Sequence, residues 1–146
     1  MTKRTSAMVI AAALSAICVL LFLLYYDHIF AKSSIQKYSR IGDRINVEGA
    51  TNVWFHHDKG IDVTELITLT ETPDDFINLR KSLKCRTVPK NRSYLYLAGR
   101  AQLWWWSLSK NIDDKFECDV GNAFIDGAIE NISKRQVRVW MVVYTM

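Results

Sequence analysis

The chain is poor in structure breakers and in cysteine, with two prolines, six glycines and three cysteines in 146 residues. So little proline and glycine excludes a collagen-like or low-complexity chain and leaves no flexible interdomain linker. Three cysteines are too few for a cysteine-dense secreted scaffold, and no CxxC spacing suggests a zinc site. HExxH, GxSxG, P-loop and dinucleotide signatures are also missing, so the commonest hydrolase, NTPase and oxidoreductase motifs have no counterpart. The length allows one domain with a single modest core, which excludes a multidomain enzyme and a polytopic carrier. A wholly disordered chain is excluded by an aromatic content of 12%.

Charge is absent from one stretch altogether. No residue from Thr5 to Tyr26 is charged, and within residues 7–26 Ser15 is the only one that is not apolar. As a helix this run rises roughly 33 Å, close to the hydrocarbon thickness of a bilayer. It also lacks the polar stripe of a surface helix, so a single transmembrane helix is expected, with Tyr25 and Tyr26 at the far interface. Lys3 and Arg4 ahead of the run and Ala31 before Lys32 also fit a cleaved signal peptide. The run is longer than a usual signal core and Ile29 suits a cleavage site poorly, which favours a retained signal-anchor. Inside it, Ala7, Ala11 and Ser15 recur at four-residue spacing, a stripe of small residues that lets two helices approach and makes a homo-oligomer through the anchor a candidate.

Orientation is not decided by positive charge, because Lys32, Lys37, Arg40 and Arg44 follow the helix closely. Cysteine decides it. Cys18 lies within the apolar run, so Cys85 and Cys118 are the only thiols of the polar part. One pair in a small domain outside the cytosol reads as a disulfide. The expected placement is single-pass in an inner or plasma membrane, N-terminus cytoplasmic, domain periplasmic or extracellular. Three parts follow: a tail and anchor over residues 1–26, with residues 6–26 in the membrane, a juxtamembrane connector over 27–44, and a domain over 45–146.

In the connector Ile35, Tyr38 and Ile41 fall at three-residue spacing and predict a helical stalk ending near Gly42. Short strand-like runs follow at Ile45 to Val47 and Val53 to Phe55, then a longer β-branched run from Val63 to Thr70. Thr72-Pro73-Asp74-Asp75 starts a helix: Thr72 caps it, Pro73 suits its first position and the aspartates complement the dipole. Phe76, Leu79 and Leu83 extend that helix to Lys84. Ser93 to Leu97 and Ala101 to Leu108 read as strands around an Ala98-Gly99-Arg100 turn. Residues 119–133 are ambiguous, since Gly121 and Gly127 weaken a helix without excluding it. Gln136 to Tyr144 alternates as a core strand with Val137, Val139, Met141 and Val143 on one face. The fold class expected is α+β: one transmembrane helix, then a small, mainly antiparallel sheet with one or two helices and one disulfide.

His56-His57-Asp58 is the only histidine cluster, but on a strand the two rings point to opposite faces and cannot share an ion without a bend. Ser34 to Lys37 and Ser107 to Lys110 match a loose S-x-x-K pattern without its companion elements. Accordingly no catalytic residue, metal site or cofactor is expected, and the chain does not read as an enzyme.

Between Phe76 and Ile112 eight basic residues and no acid occur, among them Arg80, Lys84, Arg86, Arg92 and Arg100. Three tryptophans, Trp104, Trp105 and Trp106, interrupt this stretch. In a strand they cannot all face one core, so at least one is expected to be covered by a helix, exposed to a partner or laid on the bilayer. Tryptophan is enriched at binding hot spots and membrane interfaces, so these residues and the basic side chains are the candidate partner or lipid contacts. Outside the cytosol nucleic acid is not expected to be that partner. The function expected is a membrane-anchored extracytoplasmic protein-binding module, such as an immunity, inhibitor, exclusion or envelope-complex accessory protein. The alternatives are a bitopic lysis or sensor component acting through its transmembrane helix and, third, an envelope hydrolase dependent on His56 or His57.

Overall fold

A computed structural model describes residues 3–58, 64–89, 103–108 and 110–144, with side chains from residue 7 onward. Helix α1 runs from Lys3 to Ile29, and its segment Ala7–Ile29 is long and apolar enough to cross a membrane, with none of it buried in the protein. This segment passes Tyr26 by three residues, two of which, Asp27 and His28, are polar. A one-residue break at Phe30 separates it from helix α2, Ala31–Tyr38. The connector packs into the core: Ala31, Ile35 and Ile41 are fully buried, while Tyr38 is largely exposed. Gly42 is required at its end, because a Cβ there would collide with the carbonyl oxygen of Ile35.

Among the described residues six strands follow: β1 Thr51–Asp58, β2 Thr64–Glu71, β3 Cys85–Val88, β4 Asp114–Asp119, β5 Phe124–Ser133 and β6 Gln136–Tyr144. Helix α3, Pro73–Ser82, separates β2 from β3. The strands form one antiparallel sheet in the order β1-β2-β6-β5-β4-β3. The α+β class, the single apolar helix and the Cys85–Cys118 bridge are therefore as the sequence implies. The cysteines face one another across β3 and β4, so the bridge ties an edge strand to its neighbour. It also closes the loop that carries the three tryptophans.

The sheet buries both faces. Val137, Val139, Met141 and Val143 of β6 join Ile67, Leu69, Phe116 and Ile125 beneath α2, α3 and the segment between Ile41 and Ala50. Trp140, Val142, Leu66 and Ala128 on the opposite face are covered by the Trp106 loop. Because β6 is central and covered on both sides, its buried run is nearly continuous from Val139 to Val143. Helix α3 starts at its predicted cap, Thr72 accepting from the Asp75 backbone N–H, but stops at Ser82, since Leu83 and Lys84 turn and Lys84 adopts a φ of 53°.

Several local expectations are corrected. Ile45 to Val47 forms no strand; Ile45 and Val47 are buried in a turn-rich segment that closes the core. Residues 119–133, which the sequence leaves open, are the last residue of β4, a turn and β5. Gly127 there sits opposite Phe116, whose ring lies across it; any Cβ would strike that ring, so the glycine serves strand packing. Residues 103–108 form no strand: the Trp106 N–H bonds to the Leu103 carbonyl at 3.0 Å, closing a turn. The expected strand from Ser93 to Leu97 lies outside the described residues. Strands β3 and β4 were not expected, because CRTV and DKFECD carry too much charge to show a two-residue hydrophobic period.

Candidate functional site

The turn at residues 103–106 aims successive tryptophans in three directions, which a strand cannot do. Trp106 enters the core beneath the sheet and is 6% exposed. Trp105 stacks on Trp54 of β1 with ring centroids 5.4 Å apart. Trp104 remains 57% exposed, and its Nε1 donates to the Leu24 carbonyl at 3.1 Å. Leu24 belongs to the apolar segment of α1, so Trp104 lies at the level where that helix leaves its apolar run.

Trp54 is the centre of an aromatic seam joining helix, sheet and turn. Its ring meets Tyr25 at 5.7 Å, His28 at 4.8 Å and Trp104 edge-on at 5.0 Å, and Tyr25 meets Trp104 at 5.5 Å. Polar bonds fix the same junction. Asp27 Oδ2 accepts from Trp105 Nε1 at 3.1 Å and lies 3.3 Å from His56 Nδ1. His28 Nδ1 lies 2.6 Å from the Val53 carbonyl; a carbonyl only accepts, so that nitrogen carries the proton. One turn of α1 thus bonds to β1 and to the tryptophan turn at once.

A second tie holds the end of α2. Glu65 of β2 is fully buried, accepting from Ser39 Oγ at 2.5 Å and from the Arg40 backbone N–H at 3.1 Å. The oxygen that accepts from Arg40, Oε1, also faces His57, whose Nδ1 is 3.9 Å away and buried without a hydrogen-bond partner. The alternation of β1 therefore sends His56 to Asp27 and His57 to Glu65, as expected for neighbours on a strand. Among the described residues no group of three or more His, Cys, Asp or Glu is placed to hold a metal ion.

The candidate basic contacts do not share one face. Arg80 lies over the Phe76 ring and donates to Thr87 Oγ1 at 2.7 Å, and with Lys84 it borders a shallow pocket between α3 and β3. Arg86 projects from the opposite side of β3 and bonds to buried Glu117 at 3.0 Å. Arg92 and Arg100 lie outside the described residues. Ala7, Ala11 and Ser15 line α1, uncovered by the rest of the chain.

Sequence reasoning pointed to the tryptophans and Tyr25 but missed Trp54, Asp27 and His28. The available signal was a charged residue and a histidine directly abutting an apolar run, which need polar partners if they stay near the bilayer. No family model, curated protein or solved structure matches this chain.

Proposed function

We propose that this chain is a single-pass membrane protein whose domain lies outside the cytosol, seated at the bilayer surface, and serves as a protein-binding module of the immunity, inhibitor, exclusion or envelope-accessory kind. The observation that carries the reading is the junction itself. Asp27 and His28 bond to the tryptophan turn and β1, and Tyr25 packs its ring on Trp54, so the helix is an integral part of the domain. Removal of residues 1–31 by a signal peptidase would take these contacts and Ala31 from the folded protein, which supports a retained anchor. The disulfide supports a compartment outside the reducing cytosol. With the helix bound at one fixed place, Trp104 is presented where membrane and aqueous phase meet, the position of an amphipathic hot-spot residue.

The test is a pull-down with the full-length protein in detergent or nanodiscs, repeated with Trp104→Ala. Capture of a discrete envelope protein that is lost in the variant supports the module; absence of any retained protein in both removes its motive.

A second reading, a bitopic lysis or sensor component, is favoured by the same rigid junction, which transmits helix movement to the sheet, and by the uncovered small-residue stripe. Replacing Ala11 and Ser15 by Leu blocks close helix approach. It is expected to abolish a function exerted through the helix and to leave partner capture by the domain intact.

A further inference from the structure

A cavity of about 460 Å³ lies between β1 and the stretch of chain running from the end of α1 through α2. Four aromatic rings, those of Tyr26, Phe30, Tyr38 and Phe55, form much of its wall, and Asp27, Ser34, His56 and His57 supply its polar groups. Its size falls within the range of small-molecule sites. Its place in the chain indicates what it faces. Tyr26 belongs to the last turn of the apolar segment and Phe30 follows it immediately, so the cavity begins where a bilayer's hydrocarbon ends. The rings of Phe22, Tyr26 and Phe30 are in contact in sequence, at 5.8 and 5.2 Å, and make an aromatic track along α1 from the apolar region to the cavity wall.

The lining has two chemistries. Aromatic faces beside a carboxylate attract an ammonium group, by cation–π and charge interactions respectively. Serine and tyrosine hydroxyls and imidazole N–H groups suit phosphate oxygens. The carboxylate of Asp27 favours a headgroup carrying its own cation over a purely anionic one.

We propose that this cavity binds the headgroup of an ammonium-bearing phospholipid, such as phosphatidylethanolamine, with an acyl chain lying along Phe22, Tyr26 and Phe30. The bound lipid completes the wall between α2 and the edge of the sheet and sets the depth at which the domain sits. The proposal rests on α1 spanning the membrane and is independent of any protein partner.

Full-length protein in nanodiscs of equal phosphatidylethanolamine and phosphatidylglycerol would be transferred to mild detergent and its retained lipids counted by native mass spectrometry. Phosphatidylethanolamine is expected to be enriched roughly tenfold, about the ratio that one ammonium contact supplies. Tyr38→Ala and Asp27→Asn are expected to erase that enrichment. Tyr38 is exposed on its outer side, so its variant keeps the fold even if Asp27→Asn loosens the junction, and near-native circular dichroism with an intact disulfide would verify this. Equal retention of the two lipids, or enrichment unchanged in Tyr38→Ala, would overturn the proposal. So would competition by soluble phosphoethanolamine as effective as that by the lipid, since the site would then not require a membrane. A chain that fails to partition into membranes at all would instead refute the spanning helix.

Discussion

At one edge of the sheet β3 is four residues long and is tied to β4 by the Cys85–Cys118 bridge; at the other, β1 is eight residues long and meets side chains of α1, α2 and the tryptophan turn. Unpaired strand edges invite association with other chains, and each edge is managed by what its surroundings offer. The short edge has little backbone to protect and is closed covalently. The long edge is held by the end of the apolar helix, with His28 on the Val53 carbonyl and Asp27 beside His56. One edge is therefore sensitive to redox conditions and the other to the state of the helix.

The largest expected effect comes from opening the covalent edge. Closing a loop between residues 33 apart contributes about 3 to 4 kcal/mol, so Cys85→Ser with Cys118→Ser should lose about that much stability. Chemical denaturation of the protein in detergent measures it, and a loss below about 1 kcal/mol would show that strand pairing alone holds β3. Next in size is the tie on the side of β1. Glu65→Ala leaves Ser39 and the Arg40 N–H without their buried acceptor, at a cost of about 2 to 3 kcal/mol. If the comparison holds, hydrogen exchange should rise in β1 and α2 while β3 keeps its protection.

Glu71 distinguishes the β1 side of the molecule through pH. It lies beneath the segment that leads into β1, lining a cavity of about 230 Å³ with Asp75, and its Oε1 is buried without a hydrogen-bond partner. Burial, and then the charge of Asp75, raise its pKa from 4.5 to about 7. The folded protein therefore holds a proton that the unfolded chain releases above pH 4.5. This contribution is complete below pH 4.5 and is lost as pH rises to about 7, a fall on the order of 3 kcal/mol. Glu71→Gln should flatten the stability profile over that interval, and an unchanged slope would assign it to another group. The smallest effect belongs to the β3 edge, where Lys84 occupies a left-handed φ of 53°. Lys84→Gly relieves that conformation and should stabilise the protein by up to about 1 kcal/mol, read as a higher denaturation midpoint.

The tryptophan triplet illustrates how far local patterns carry. Alternation in a strand implied that the three rings diverge, and they do, but the divergence arises from a turn held by Leu103 and Trp106. Nothing in the residues near 104 indicates that Trp54, fifty positions earlier, supplies the stacking surface. Alternation along the strand separates the His56 and His57 side chains onto different carboxylates, although both border the cavity beside β1. Their partners Asp27 and Glu65 could not be assigned, since both are brought in from other elements.

What the sequence determined by itself is what short-range chemistry decides. A charge-free run of sufficient length makes the apolar helix, Thr72 and Pro73 start α3, alternation gives β6 its buried face, and a lone pair of cysteines outside that helix anticipates the bridge. Tertiary structure alone decided the strand order, the strands β3 and β4 with their charged sequences, the entry of the connector into the core, and the docking of Asp27 and His28 on the sheet. Those outcomes depend on contacts between residues dozens of positions apart, whose worth is fixed by burial and by which partner each polar group finds.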